Sequence, residues 1–364
     1  MDLFNEKSNV PQSIKAKIGM NLHNKQNHPI QIVKENIYKY FRQLKTHKFE
    51  MFDDLPPYVT VENNFDKLLI PKNHPARQPT DTFYVNETTV LRTHTSAHQN
   101  ELLEKGHRSF LVTGDVYRKD EIDKSHYPVF TQMEGLHIVE DGEDAEAQLK
   151  KILSGLVEHL FPNCEYRFND DYFPFTTPSF EIEVKFNDKW LEILGCGVVH
   201  RDILDKLNIK QNAWAFGIGQ DRCAMILFGI PDIRLFWTTD NRFHDQFKDN
   251  NNKFVPYPIL TPIAKDISFW LDNADVQNTS ENKFTWNKIN DFYELVREIC
   301  GDTIESVALF DERYHDKKNL YSHAYRLTFS PNLEMDNPSE LNKTANDFMK
   351  QIRESVPKLQ IKLR

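Results

Sequence analysis

The stretch from Trp190 to Trp237, WLEILGCGVVHRDILDKLNIKQNAWAFGIGQDRCAMILFGIPDIRLFW, constrains this chain more than any other. It opens on an apolar run, Trp190 to Leu194, which reads as a buried strand carrying the charge of Glu192 inside a sheet. A second strand, Ala213 to Ile218, runs through Gly217 and Gly219 into an apolar helix from Asp221 to Phe228, which Gly229 and Pro231 stop. The chain has only 12 glycines in 364 residues, yet Gly195, Gly197, Gly217, Gly219 and Gly229 all fall here. Glycine used so sparingly and then concentrated lets backbone approach something flat or another backbone. Arg222, at the mouth of the helix, faces the same place. A Gly-kinked hairpin under a helix, with Glu192 and Arg222 as a structural ion pair, accounts for the same residues.

A chain of this length fits two domains. With 54 acids against 45 bases its net charge is -9, so it is no general nucleic-acid coat, and any RNA partner must be held by a local basic patch. The four cysteines, Cys164, Cys196, Cys223 and Cys300, form no CxxC pair and indicate neither zinc nor a disulfide framework. No apolar run is long enough to span a membrane.

Along the chain, residues 1–28 are polar and read as an N-terminal extension, an ordered tail at most. Ile30 to Leu44 has helical spacing behind Pro29, with a face that is either core or a dimer seam. RTHTSAHQ (92–99) gathers hydrogen-bonding groups, and a capping loop explains Thr95 and Ser96 as well as a ligand site does. FLVTGDVY (110–117) and YPVFTQMEGLHIV (127–139) form two strands around a charged loop, with Arg118 late in the first. That pattern suits either a hairpin gripping an anion or an exposed charged turn. A helix at 144–160 and an alternating strand, Phe180 to Phe186, follow. Tyr172-Phe-Pro-Phe175 before that strand reads, taken alone, more readily as core packing than as a site. Residues 244–256, with their DNNN, read as a linker. Residues 257–364 then read βαββαβ, a ferredoxin-like unit: strands at 266–271, 304–314, 322–329 and 359–363, and helices at 284–301 and 338–356.

RTHTSAHQ, GDVYRKDEIDKSHYPVFTQMEG, YFPFTTPSFE, GCGVV and WAFGIGQDRCAMILFGIPDIRLFW together resemble the phenylalanyl-tRNA synthetase family in its single-chain organellar type, from about His28 to Phe243. The C-terminal unit resembles that type's anticodon-binding module. The resemblance implies an α+β fold: a class II antiparallel sheet flanked by helices at 29–243, plus the ferredoxin-like domain. It implies activation of L-phenylalanine by ATP with Mg²⁺, then transfer to tRNA(Phe), by a monomer in the mitochondrial matrix or another organelle, with the cytoplasm open.

By the same resemblance, Arg118 holds the α-phosphate, Arg222 the γ-phosphate, and Glu192 the Mg²⁺ beside ATP. Ser125, His126 and Tyr127 lie along the ATP loop, and Phe130 stacks on adenine, as Phe216 also could. Asp120, with Glu121 as alternate, meets the adenine amino group. His94, Ser96, Ala97, His98, Gln99, Gln132, Met133 and Glu134 surround the amino acid, and Glu134 joins the two arginines as catalytic. Phe173 and Phe175 enclose the substrate ring edge to face, over a floor set by Ala215. A synthetase-like RNA-binding paralogue without catalysis and an activating enzyme with a non-tRNA acceptor are the competing readings.

Overall fold

A computed structural model describes residues 4–364 apart from 45–46, 187, 249–252, 258–260, 279–283 and 332–336. Helix α1 (Pro29–Gln43) starts at its proline, behind His28, whose ring accepts from the Ile30 amide. It buries Ile30, Val33, Ile37 and Phe41, so its apolar face is a core face. It lies with α3 (Ala145–Leu160) and α4 (Gln220–Phe228) on one side of a seven-stranded sheet; α2 (Gln99–Glu104) packs elsewhere.

The sheet comprises β1 (Glu50–Phe52), β2 (Ser109–Tyr117), β3 (Val129–Ile138), β4 (Tyr166–Asp171), β5 (Thr176–Phe186), β6 (Lys189–Val199) and β7 (Ala213–Gly219). Its order is β1-β2-β3-β7-β6-β5-β4. Every neighbouring pair is antiparallel except β1 with β2, so the expected antiparallel sheet carries one parallel edge.

The extension at 1–28 is more than a tail. Val10, Ile14 and Leu22 are buried in the same core as α1, and the buried His23 approaches the equally buried Asp115 at 3.4 Å. The linker at 244–256 is likewise partly core, because Phe247 is fully buried and Phe254 packs against it. Its DNNN lies outside the described residues.

The C-terminal unit has its own hydrophobic cluster and a sheet of β8 (Ile263–Leu271), β9 (Ile304–His315), β10 (Leu320–Phe329) and β11 (Lys362–Leu363), ordered β9-β10-β8-β11. With α5 (Ile289–Cys300) and α6 (Pro338–Ser355) this is the ferredoxin-like arrangement. Two local expectations change. Phe284–Trp286 is a short strand paired with Val276–Asn278, so the helix begins five residues later than its apolar pattern suggests. The last strand shrinks to two residues, since Val356–Leu359 coils as a 3₁₀ turn behind Pro357. No helix among the described residues is long and apolar enough to cross a membrane.

Candidate active site

Strand alternation builds one face of the large sheet into a cleft. On β3, Gln132 and Glu134 line the cleft while Met133 between them is fully buried with the helices. On β7, Ala215 and Gly217 take the cleft side, and Trp214 and Ile218 join the helix-side core. In register, Glu134 lies opposite Gly217, Gly217 opposite Gly195, and Gly195 opposite Glu181. Two glycines therefore pave the floor between two carboxyl groups.

A cavity of about 310 Å³ opens on this floor, within the range of small-molecule sites. It is lined by His94, Ser96, Arg118, Gln132, Glu134, Phe173, Phe175, Glu192, Ala215 and Phe216. At its inner end Glu134 is 2 % exposed. Burial pushes its carboxyl up to about 8 against a hydrogen bond from Ser96, and Oε1 has no partner among the described residues. Such an atom costs free energy until a donor meets it. Burial, reinforced by Arg118, lowers the His94 imidazole to about 3, so it is neutral at physiological pH. Gln132 is oriented by the Thr95 amide, which donates to its Oε1 at 3.2 Å. Phe173 and Phe175 lie nearly parallel at 5.8 Å, with His94 6.3 Å from Phe175.

The outer end is charged. Arg118 Nε donates to the Thr93 carbonyl at 2.6 Å, which fixes one edge of a guanidinium that lies 5.2 Å from the Phe130 ring centre. Burial in the cleft lowers the Arg118 pKa, while Asp120 and Glu192 act to raise it. Arg222 Nη1 donates to the Glu192 carbonyl oxygen at 2.9 Å and stands 3.9 Å from its carboxylate.

Glu192 is not buried inside the sheet. A register shift between Ile182 and Glu183 lets Ile193 and Leu194 both enter the core, and Glu192 comes out beside Glu183, exposed. Partial burial raises its carboxyl pKa, Arg222 and Arg118 oppose that, and Glu181 and Asp171 add to it. Carboxylate oxygens of this kind are the ligands a hard divalent cation takes.

Several expected contacts are elsewhere. Met133 is core, and the Phe216 ring stacks on Phe41 at 5.6 Å and 6° in that core, although Phe216 also borders the cavity. Ala97 packs in the cluster with Val59 and Phe65. His98 Nε2 lies 2.9 Å from Arg92 Nη1, and Gln99 is buried at the start of α2; neither lines the cavity. Tyr127 stacks on Trp237 at 5.5 Å and donates to Asp302 at 2.6 Å, so its hydroxyl serves the C-terminal unit.

Ser125 and His126 both turn onto Asp123, at 2.9 and 2.8 Å, and Asp120 accepts from the Glu121 amide at 2.8 Å; none of the three lines the cavity. The Asp123 contact raises the His126 pKa.

Sequence reasoning missed Ile70, His74, Tyr172, Thr176 and Cys196 on the cavity wall. It also missed Arg92, only 2 % exposed, which donates from Nε to the Asp115 carbonyl at 2.8 Å and from Nη1 to that of Leu55 at 3.1 Å. The available signal was Gly114 inside a strand: a Cβ there would stand 1.8 Å from Arg92 Nη2.

Residues 13–247 match the family described as the tRNA synthetases class II core domain (F). The phenylalanine–tRNA ligase, chloroplastic/mitochondrial, of Arabidopsis thaliana is 48 % identical over 98 % of this chain and 83 % of its own length. The mitochondrial phenylalanine–tRNA ligases of Dictyostelium discoideum and Mus musculus are each 42 % identical, over 90 % and 88 % of this chain and 83 % and 79 % of theirs. With a charged cleft beside an aromatic pocket on a class II core, this chain belongs to the phenylalanine–tRNA ligase family of class II aminoacyl-tRNA synthetases.

Proposed function

We propose that the chain activates L-phenylalanine with ATP and transfers it to tRNA(Phe), in an organelle like those named for its relatives. The observation that carries this reading is one cavity holding the buried carboxyl of Glu134, whose Oε1 has no partner among the described residues, an aromatic pair and, at its open end, Arg118. Glu134 would receive the substrate ammonium, and Phe173 and Phe175 its ring. A phenylalanine carboxylate oxygen then attacks the α-phosphorus. The bond from that phosphorus to the bridging oxygen breaks, and pyrophosphate leaves with the electron pair. Arg118 would meet the oxygens that gain charge in the transition state, with a planar fork that suits phosphate. Arg222 would hold the departing end. In the second step a ribose hydroxyl oxygen attacks the acyl carbon, the bond from that carbon to the phosphate oxygen breaks, and AMP leaves with the electron pair while its phosphate takes up the hydroxyl proton.

Glu192, with Glu181 and Asp171 close enough to act on its charge, would offer magnesium an oxygen ligand; bound with ATP, the ion would neutralise phosphate charge. For RNA, the C-terminal unit offers a groove where Trp270, Tyr314 and His315 sit among Arg313, Lys317, Lys318 and Arg364. Lys318 and Arg364 lie 4.6 and 5.2 Å from the Trp270 ring centre, a basic patch with a stacking surface on an otherwise acidic protein.

Arg118, Glu134, Glu192 and Arg222 gathered at one cleft favour an enzyme over a silent RNA-binding paralogue. ATP–pyrophosphate exchange across the twenty amino acids, followed by charging of tRNA, tests the reading. Exchange that phenylalanine does not stimulate would overturn it.

A further inference from the structure

One apolar residue, Ile122, stands in the charged run RKDEIDKSH at 118–126. It is 6 % exposed, and what covers it is the hydrophobic cluster of the C-terminal unit, not the core beneath the large sheet. The contact is more than apolar. Arg297 on α5, itself buried and paired with Glu294, donates from Nη2 to the carbonyl oxygens of Asp120 at 2.9 Å and Glu121 at 3.2 Å. The Val307 amide donates to the Ile122 carbonyl at 2.9 Å, and Lys124 pairs with Glu305 at 2.8 Å.

The backbone of the loop joining β2 to β3 thus accepts hydrogen bonds from the Arg297 side chain on α5 and from the Val307 amide on β9. At its near end lies Arg118, fixed to the Thr93 carbonyl, with Asp120 close enough to act on its charge. One guanidinium bridging two successive carbonyls sets the orientation of the peptide between them, a restraint that a flexible ammonium does not reproduce.

We propose that Arg297 is a positioning residue for amino-acid activation: from the C-terminal unit it holds loop 119–126, and with it the Arg118 at the loop's near end that lines the cleft, so activation depends on that unit before any tRNA is present. The inference rests on the reading above in which Arg118, at the near end of this loop, meets the α-phosphate of ATP. Arg297 reaches neither substrate nor reacting atoms and acts through the backbone of Asp120 and Glu121.

The test uses the full chain without tRNA. Phenylalanine-dependent ATP–pyrophosphate exchange is measured for wild type, Arg297→Ala, Arg297→Lys and Ile122→Ser, with phenylalanine affinity read separately by calorimetry in the absence of ATP. The expected result is a KM for ATP raised about tenfold or more in Arg297→Ala, the scale of a lost charge-assisted hydrogen bond. Arg297→Lys should recover little, and phenylalanine affinity should stay within about twofold, because the inner pocket is untouched. Ile122→Ser disturbs the contact from the loop side and should move the ATP KM the same way, which covers an Arg297→Ala protein that fails to fold. Arg118→Ala separates two kinds of failure. Loss of exchange in Arg118→Ala with unchanged ATP KM in both Arg297→Ala and Ile122→Ser overturns the positioning role alone. Unchanged exchange in Arg118→Ala overturns the ATP reading and the inference together.

Discussion

Phe173 lies against the backbone of Gly195: a Cβ at that glycine would stand 2.7 Å from the ring's Cζ and 3.0 Å from Cε2. The bare glycine lets the ring settle onto β6, parallel to Phe175, with the cavity above it. Gly195→Ala should push the ring into the space reserved for the substrate side chain. We expect an intact fold and a phenylalanine KM raised roughly tenfold, the effect of misplacing a packing wall by part of an ångström. A KM unchanged in exchange kinetics would show that Phe173 does not bound the pocket.

Ala215 supplies the next wall. It is buried on β7, lines the cavity and pairs with Gly197 across the floor. Its methyl should meet the para position of the substrate ring, since an apolar pocket refuses an added group only where no room exists. Ala215→Gly should admit para-chloro- and para-bromophenylalanine with little loss on phenylalanine, and tyrosine activation should rise. An unchanged ratio of halogenated to natural substrate in exchange assays would place the floor elsewhere.

Glu134 gives the pocket a pH signature. With its carboxyl at about 8 it is mostly protonated at pH 7 in the free protein, whereas a substrate ammonium needs the carboxylate. Phenylalanine binding at pH 7 should therefore release a proton, and affinity should climb as pH rises from 6 toward 8, at most about tenfold per unit. The same raised value means that the group's contribution to folding stability is fully present below the ordinary carboxyl range and is lost as pH rises through about 8. Calorimetry in buffers of different ionisation enthalpy reads the proton directly. Proton release that persists in Glu134→Gln would assign it to another group.

Arg118→Ala should cripple adenylate formation and spare the fold, because its charge matters most as the α-phosphate gains charge. The loss should be roughly 10²-fold or more, by comparison with removing one oxyanion donor. Exchange within about a factor of three of wild type, against that ~10²-fold expectation, would sink the assignment.

What the sequence revealed and what it concealed divide along physical lines. Helix α1, the β2–β3 pair and most of the ferredoxin-like order were legible because apolar period and alternation are local. Alternation also contained more than was drawn from it. With Gln132, Glu134 and Ala215 on the cleft side, period two already sends Met133 and Phe216 to the other face. Glu192 was hidden by a register shift, which no single-strand pattern encodes. Burial of Val10, Ile14 and Leu22 was hidden because a few apolar residues scattered through polar sequence give no period.

Tyr127, Ser125 and His126 lie off the cavity wall for a third reason: the loop carrying them is oriented by residues some 175 positions away, as the Tyr127–Asp302 bond and the Arg297 contact with Asp120 show. Sequence alone also predicts that a chain cut near Phe254 keeps phenylalanine-dependent exchange. With Ile122 covered by the C-terminal unit, that cut should instead impair it.

The groove around Trp270 makes the last prediction, one that separates RNA binding from activation. It lies on the C-terminal unit, and none of its lining residues borders the phenylalanine cavity. Lys318 and Arg364 stand over Trp270, so an unstacked base could share that ring while Lys317 and Arg313 meet phosphates. Trp270→Ala should raise the KM for tRNA in charging by about one stacking contact, roughly 5- to 100-fold, and leave exchange unchanged. Lys317→Ala with Lys318→Ala should weaken tRNA binding and also flatten its salt dependence, since fewer counterions are released when fewer phosphates are neutralised. Filter binding of tRNA(Phe) at several salt concentrations, beside exchange assays on the same proteins, provides both readings. If the double substitution shifts neither affinity nor the salt slope, RNA does not use this groove.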